Sequence, residues 1–303
     1  MRTALAVLVL VLAGCAAGEP VAVDTADPLR DQQWGMELLD PQSVWATTRG
    51  GDVTVAVVDS GVDATQPDLD GRIGDGIDLV DPGTPPDDRY GHGTHVTGII
   101  AGVAPDLRIL PVRVLDDEGA GTYAVTARGI RWAVDHGADV VNLSVTLSRD
   151  DARVRRAVEA ALGRGVVVVA AAGNTRCRAT GSNVPVYPAA YPGVIGVGAV
   201  SEGGSVAPFN SCGPWVDVLA PGADILSIAP DDATKRECVG GGGTCRLSGT
   251  SEAAPWVAGA VALALALPGA DPEGVARAVV ETASDVDGPQ VLDVGALVAS
   301  AAR

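Results

Sequence analysis

The sequence predicts an α/β fold: a three-layer, doubly wound, mostly parallel sheet with helices on both faces. Three observations predict it. Short β-branched runs alternate with stretches of helical spacing from residue 53 to about residue 282. One run, residues 166–171 (VVVVAA), is apolar at every position, as a strand covered on both sides must be. Hydrophobic residues make up 47% of the 303 and charged ones 19%, enough apolar material to cover such a sheet.

Taken in order, the chain opens with an export signal. Arg2 supplies a positive start, and residues 4–13 are uninterruptedly apolar, too short for the ~20 residues that span a bilayer. Leu12-Ala13-Gly14-Cys15 closes that run and resembles a lipobox, the cleavage motif of a lipoprotein-type signal peptide. It implies removal of residues 1–14, lipidation of Cys15 and attachment to the outer face of a membrane; an ordinary signal peptide and a secreted product are the alternative. Residues 15–30, with Gly18, Pro20 and Pro28 and no periodicity, read as a tether to one domain over 31–303.

Within the domain, residues 53–58 (VTVAVV) form a strand that ends at Asp59. Residues 107–115 are extended, and 122–136 place Ala124, Ala127, Ile130, Trp132 and Val134 at helical spacing. Residues 139–143 return to strand, and 150–162 form a helix closed by Gly163. After the apolar run come strands at 194–200 and 215–219, then helices at 251–267 and 271–282. Residues 257–267 are apolar on all sides, but Pro268 stops them short of a membrane span, so this helix is expected in the core.

With 21 basic against 38 acidic residues the formal net charge is −17, which opposes nucleic-acid binding through phosphate contacts. The acids are dispersed, as on a soluble exported surface. Beyond Cys15 the cysteines are Cys177, Cys212, Cys238 and Cys245, an even set expected to form disulfides. Cys238 and Cys245 bracket four glycines, so a local pair there, leaving Cys177 with Cys212, is the easiest arrangement. No CxxC spacing supports a metal site.

Three segments carry the chemistry. Asp59-Ser60-Gly61 ends a strand, Gly91-His92-Gly93-Thr94-His95 opens a helix, and Gly249-Thr250-Ser251-Glu252-Ala253-Ala254-Pro255 opens another. Each alone reads as a turn or a cap. Together they supply what acyl transfer needs: a hydroxyl, an imidazole to take its proton, and a carboxylate to orient the imidazole. Ala171-Ala172-Gly173-Asn174 adds an amide donor after the buried strand, able to serve an oxyanion together with the Ser251 backbone N–H at a helix N-terminus.

In this order DSGVD, GHGTHVTG, AAGN and GTSEAAP resemble the four signature segments of the subtilisin-like (subtilase, peptidase S8 type) serine proteases, colinear over residues 32–283. The resemblance implies a subtilisin-like fold and a serine endopeptidase (EC 3.4.21.-), with Asp59 as orienting carboxylate, His92 as general base, Ser251 as nucleophile and Asn174 in the oxyanion hole. It further implies that Gly119, Ala120 and Gly121 pair with an extended substrate, and that Ser144, Val145, Ala171, Ala172 and Gly173 line the pocket before the scissile bond.

The departures are specific. Glu252 stands where the family has Met or another apolar residue, Trp256 where His is common, and Val145-Thr146-Leu147 replaces Leu-Gly-Gly. Between Ala101-Gly102 and Val103-Ala104-Pro105 there is no room for the family's strong calcium loop, so no metal is expected there and no cofactor is required; a structural calcium elsewhere stays open. Some fifteen residues ahead of the domain cannot hold a folding pro-domain, so activation by its removal is not expected. The partners expected are polypeptide substrates and a membrane, with the chain acting as a monomer. A metal enzyme built on His92, His95 and Asp59 lacks the HExxH glutamate, and an α/β-hydrolase needs GxSxG and a triad in the order Ser, acid, His, whereas here acid and His precede Ser. A peptide-binding homologue that does not cut is the remaining alternative, motivated by Glu252.

Overall fold

The computed structural model describes residues 29, 32–177, 184–231, 233, 239–240, 243–286, 288 and 290–303. The signal, Cys15 and nearly all of the tether lie outside the described residues, as does Cys238. In chain order the elements are α1 (Trp34–Leu39), β1 (Thr54–Asp59), β2 (Ile77–Asp78), α2 (His92–Val103), β3 (Arg108–Arg113), α3 (Tyr123–Asp135), β4 (Val140–Leu143), α4 (Ala152–Leu162), β5 (Val167–Ala171) and β6 (Ile195–Val200). Then follow β7 (Val218–Pro221), β8 (Ile225–Ile228), β9 (Val239–Gly240), β10 (Thr244–Leu247), α5 (Thr250–Leu265), α6 (Pro272–Glu281), β11 (Ser284–Asp285), β12 (Gln290–Val291) and α7 (Val294–Ala301).

Nine strands form one sheet in the order β11-β12-β7-β6-β5-β4-β1-β3-β2, parallel throughout except for the β11–β12 hairpin at one edge. The chain winds outward from β1 to β3, then crosses back and winds the other way through β4 to β7. Strand order therefore reverses between β1 and β4, and the crevice beyond their carboxyl ends is where ligands bind in such sheets.

Period-two alternation separates the two cores. Val55 and Val57 of β1, Val167 and Val169 of β5 face a cluster built with α2, α5, α6 and α7. Ala56, Val58, Val168 and Ala170 face the opposite cluster, built with α3 and α4. Helix α5 is buried on nearly every face, as its sequence requires. The expected boundaries hold within a residue or two for most elements, with Thr122 capping α3 through Val125 N–H. The run at 215–219 is the exception. The strand starts only at Val218, because the Trp215 indole turns inward and donates to the Ala172 carbonyl at 3.1 Å.

Sequence periodicity missed α1, the edge strand β2, the small antiparallel sheet β8-β10-β9, the β11–β12 hairpin and α7. These short pieces make sense only as covers. Gly35 of α1, for example, lies against the Trp256 indole so closely that a Cβ would sit 2.6 Å from the ring.

Leu263 is fully buried in the α5 face of the core. Leu263→Ala should cost about 2–5 kcal/mol, read as a lower urea midpoint at unchanged m-value.

Candidate active site

The site begins with the end of β1. Asp59 is 0% exposed, and its Oδ1 accepts the Ser60 N–H at 2.8 Å. Helix α2 starts against this turn, and a second buried acid, Asp88, ties the two together. Its carboxylate accepts from Ser60 Oγ at 2.9 Å, Gly91 N at 2.8 Å, Thr94 N at 2.8 Å and Thr94 Oγ1 at 2.6 Å. It thus satisfies N–H groups at the start of the helix that would otherwise be orphaned. Ser60 Oγ in turn accepts from Gly93 N at 2.9 Å, and a Cβ on Gly93 would fall 2.1 Å from the Gly61 carbonyl. The fit leaves His92, first residue of α2, one placement, with Nδ1–H donating to Asp59 Oδ1 at 2.7 Å.

Ser251 is brought to the same crevice from the other side, in the first turn of α5. Pro255 has no N–H to give the Ser251 carbonyl four residues earlier. That carbonyl instead accepts the Ser144 hydroxyl at 2.7 Å, pinning the nucleophile's backbone to the end of β4. Thr250 fixes the loop after β5: its Oγ1 accepts Gly173 N–H at 2.9 Å, and its own N–H donates to Asn174 Oδ1 at 2.9 Å. With Oδ1 so engaged, the Asn174 amide nitrogen remains as a donor. The point where a Cβ on Gly249 would sit lies 3.0 Å from Asn174 Nδ2 and 2.9 Å from Ser251 Oγ.

The hydroxyl of Ser251 does not donate to His92. It donates to Oε2 of Glu252 at 3.0 Å, while Oε1 of Glu252 lies 3.5 Å from His92 Nε2. The imidazole is therefore flanked by two acids. Burial alone would lower its pKa, but the charge and hydrogen bond of Asp59, joined by Glu252, outweigh burial and push it up to about 10. One turn on, His95 is fully buried, with Nε2 at 2.9 Å from the Ile225 carbonyl and 3.2 Å from that of Cys245. Burial pushes it down to about 4, so it stays neutral at ordinary pH.

Beside His92 runs a groove of about 280 Å³ whose walls include Tyr90, Gly119, Gly121, Ser144, Val145 and Leu147. Gly121 pairs with Leu115, and Ala120 is exposed with its carbonyl accepting from Asp116 N–H at 2.8 Å. Gly119 has φ +75° and meets the Tyr90 ring, which would occupy the place of a Cβ there. Ala171 and Ala172 are buried, and Gly173 packs against Val186 and Ser211. Thr146 points outward while Val145 and Leu147 are buried in the wall. Cys177 and Cys212 are joined by a disulfide. Cys245 is buried and disulfide-bonded, and Cys238 lies outside the described residues. Among the described residues no group of three His, Cys, Asp or Glu side chains is arranged to hold a metal. Sequence reasoning overlooked Asp88, Tyr90 and Thr250. For Asp88 the available signal was its place four residues before His92 in a loop leading into a helix.

The subtilase family model matches residues 50–295, which include all of these residues. The chain belongs to the subtilase family. Over 267 residues it is 41% identical to a thermophilic serine proteinase from Bacillus sp. strain AK1, covering 84% of this chain and 63% of that protein. It is 37% identical to thermitase from Thermoactinomyces vulgaris, covering 85% and 90%. Among solved structures, a protease from Pseudoalteromonas arctica superposes with a TM-score of 0.81 at 29% identity, covering 91% of this chain and 98% of that one. Fervidolysin from Fervidobacterium pennivorans, described as a keratinolytic enzyme related to subtilisin, gives 0.78 at 34% identity, over 93% of this chain and 47% of that one. The subtilase fold expected from the motifs is the fold found.

In this subtilase the Ser144 hydroxyl is the partner of a carbonyl that its own helix cannot satisfy. Ser144→Ala should cost about 1–3 kcal/mol in a denaturant melt and lower kcat more than it changes KM. Gly93→Ala must move α2 away from Gly61, and a loss of about 1–3 kcal/mol with a larger loss of kcat is expected.

Proposed function

We propose that this subtilase is a serine endopeptidase that cuts extended polypeptides through an acyl-enzyme on Ser251. The observation that carries the reading is the buried 2.7 Å hydrogen bond between Asp59 and His92, with Ser251 and Asn174 converging on the same crevice. Asp59 fixes the tautomer that leaves His92 Nε2 facing the nucleophile. As Ser251 Oγ bonds to the scissile carbonyl carbon, its proton passes to Nε2 and the carbonyl pair moves onto oxygen. The Asn174 side-chain N–H and the Ser251 backbone N–H at the start of α5 are the donors for that charge in this reading. His92 then returns the proton to the leaving amine, and water repeats the sequence on the acyl-enzyme.

The substrate is proposed to lie along Gly119, Ala120 and Gly121 on one side and Ser144 and Val145 on the other, where the groove already exposes backbone at a chain edge. The chemistry needs no cofactor, since every role falls to a residue of the chain. Helix α2 runs through Ala101 and Gly102 to Val103 without an inserted loop, so no calcium is expected at that place. Export is supported by the Cys177–Cys212 disulfide, a bond that persists in oxidising compartments, and anchoring through Cys15 by the Leu12-Ala13-Gly14-Cys15 run. No described helix is long and apolar enough to cross a membrane.

A fluorophosphonate should label the wild-type protein on Ser251 and leave Ser251→Ala unlabelled. Folded wild type that stays unlabelled from neutral to strongly alkaline pH would leave a peptide-binding protein instead. Asn174→Ala should lower kcat with KM little changed, in a peptide-cleavage assay.

A further inference from the structure

Glu252 is a buried acid touching both Ser251 and His92 that the proposed reaction does not use. It is 1% exposed and occupies the first turn of α5, where the positive end of the helix favours a carboxylate. Its two oxygens are divided between the two groups that must meet in the reaction: Oε2 holds the Ser251 hydroxyl at 3.0 Å, and Oε1 faces His92 Nε2 at 3.5 Å. A Cβ on Gly249 would sit 2.7 Å from Oε2, between it, Ser251 Oγ and Asn174 Nδ2, so the carboxylate packs close to both.

Resting on the peptidase reading, we propose that Glu252 is a positioning residue that bridges nucleophile and base and, through its charge beside the imidazole, moves the working range of the enzyme to alkaline pH. Among the described residues, the charged and titratable groups that meet it or the imidazole it faces are these. Asp59 comes from the end of β1, His92 and His95 from α2, and the Ser251 hydroxyl from its own helix. His95 contributes no charge, because burial holds its pKa well below the usual imidazole range. The ionisable set therefore reduces to two carboxylates sharing one imidazole. With the imidazole protonated the group carries one negative charge; removing that proton leaves two in a buried site.

The consequence for mechanism follows from proton balance. Ser251 Oγ can attack only if its proton has somewhere to go, and Nε2 can take it only when unprotonated. The conjugate pair that limits kcat/KM on the acid side is therefore His92 in the field of both Asp59 and Glu252. The shift of His92 to about 10 is in the direction this demands. Below the pKa of that pair activity falls as pH falls, by about tenfold per unit.

The test compares wild type with Glu252→Gln, which keeps shape and removes charge, and Glu252→Met, which removes the acceptor also. Both should move the acid limb of kcat/KM down by at least about one unit, raising kcat/KM near neutral pH about tenfold or more. The proposal is overturned if the limb stays in place in both, or if both lose kcat without a shift, since the carboxylate would then be carrying the proton itself. Wild type alone gives an independent reading should the variants fold poorly. Its rate of fluorophosphonate labelling should keep rising well above neutral pH, and half-maximal labelling close to pH 7 overturns the proposal while leaving the peptidase reading intact. Folded wild type that is unlabelled at every pH overturns both.

Discussion

Strand β1 is the fixed point from which the rest of the site is measured. It is paired on both edges, to β3 and to β4, and five of its six residues are buried. A strand so confined cannot slide or tilt without breaking two ladders and opening two cores. Asp59 therefore stands at a known place, and the turn after it becomes the floor on which α2 is set. The fit of Gly93 against the Gly61 carbonyl and the four bonds to Asp88 carry that position across to His92.

The second half of the site depends on the same sheet through different strands. Ser144 follows β4 and Asn174 follows β5, neighbours in the parallel order, and both bond to the first turn of α5. A missing N–H is what gives one of these bonds its purpose: Pro255 frees the Ser251 carbonyl, and Ser144 takes it up. The nucleophile is thus held by its backbone through Ser144, and by its hydroxyl through Glu252. That hydroxyl donates to Glu252 and not to His92, which gives a single departure from the usual apolar residue a direct contact with the nucleophile.

Much of this was legible in advance because it rests on local signals. Alternating β-branched runs and helical spacing specify which segments are strands and helices, and residues 166–171 could be read as buried on both faces from composition alone. The four motifs identified Asp59, His92, Asn174 and Ser251 by order and type. What escaped were elements whose stability is borrowed. The six residues of α1 and the two-residue strands β11 and β12 are too short to carry a period, and they exist because the Trp256 indole and the edge of β7 offer a surface to cover. Trp215 misled the reading of a strand because its ring found a partner across the fold.

By itself, then, the sequence determined the fold class, the order of the catalytic candidates and the presence of an acid beside Ser251, since hydrophobic period and motif order are properties of the chain. Only the tertiary structure decided where that acid points. In sequence Glu252 is merely adjacent to Ser251; on the helix its carboxylate swings inward, becomes buried, and faces an imidazole that arrives from an element some 160 residues earlier. Contacts of that kind are set by how two cores pack against one sheet, and no local pattern encodes them.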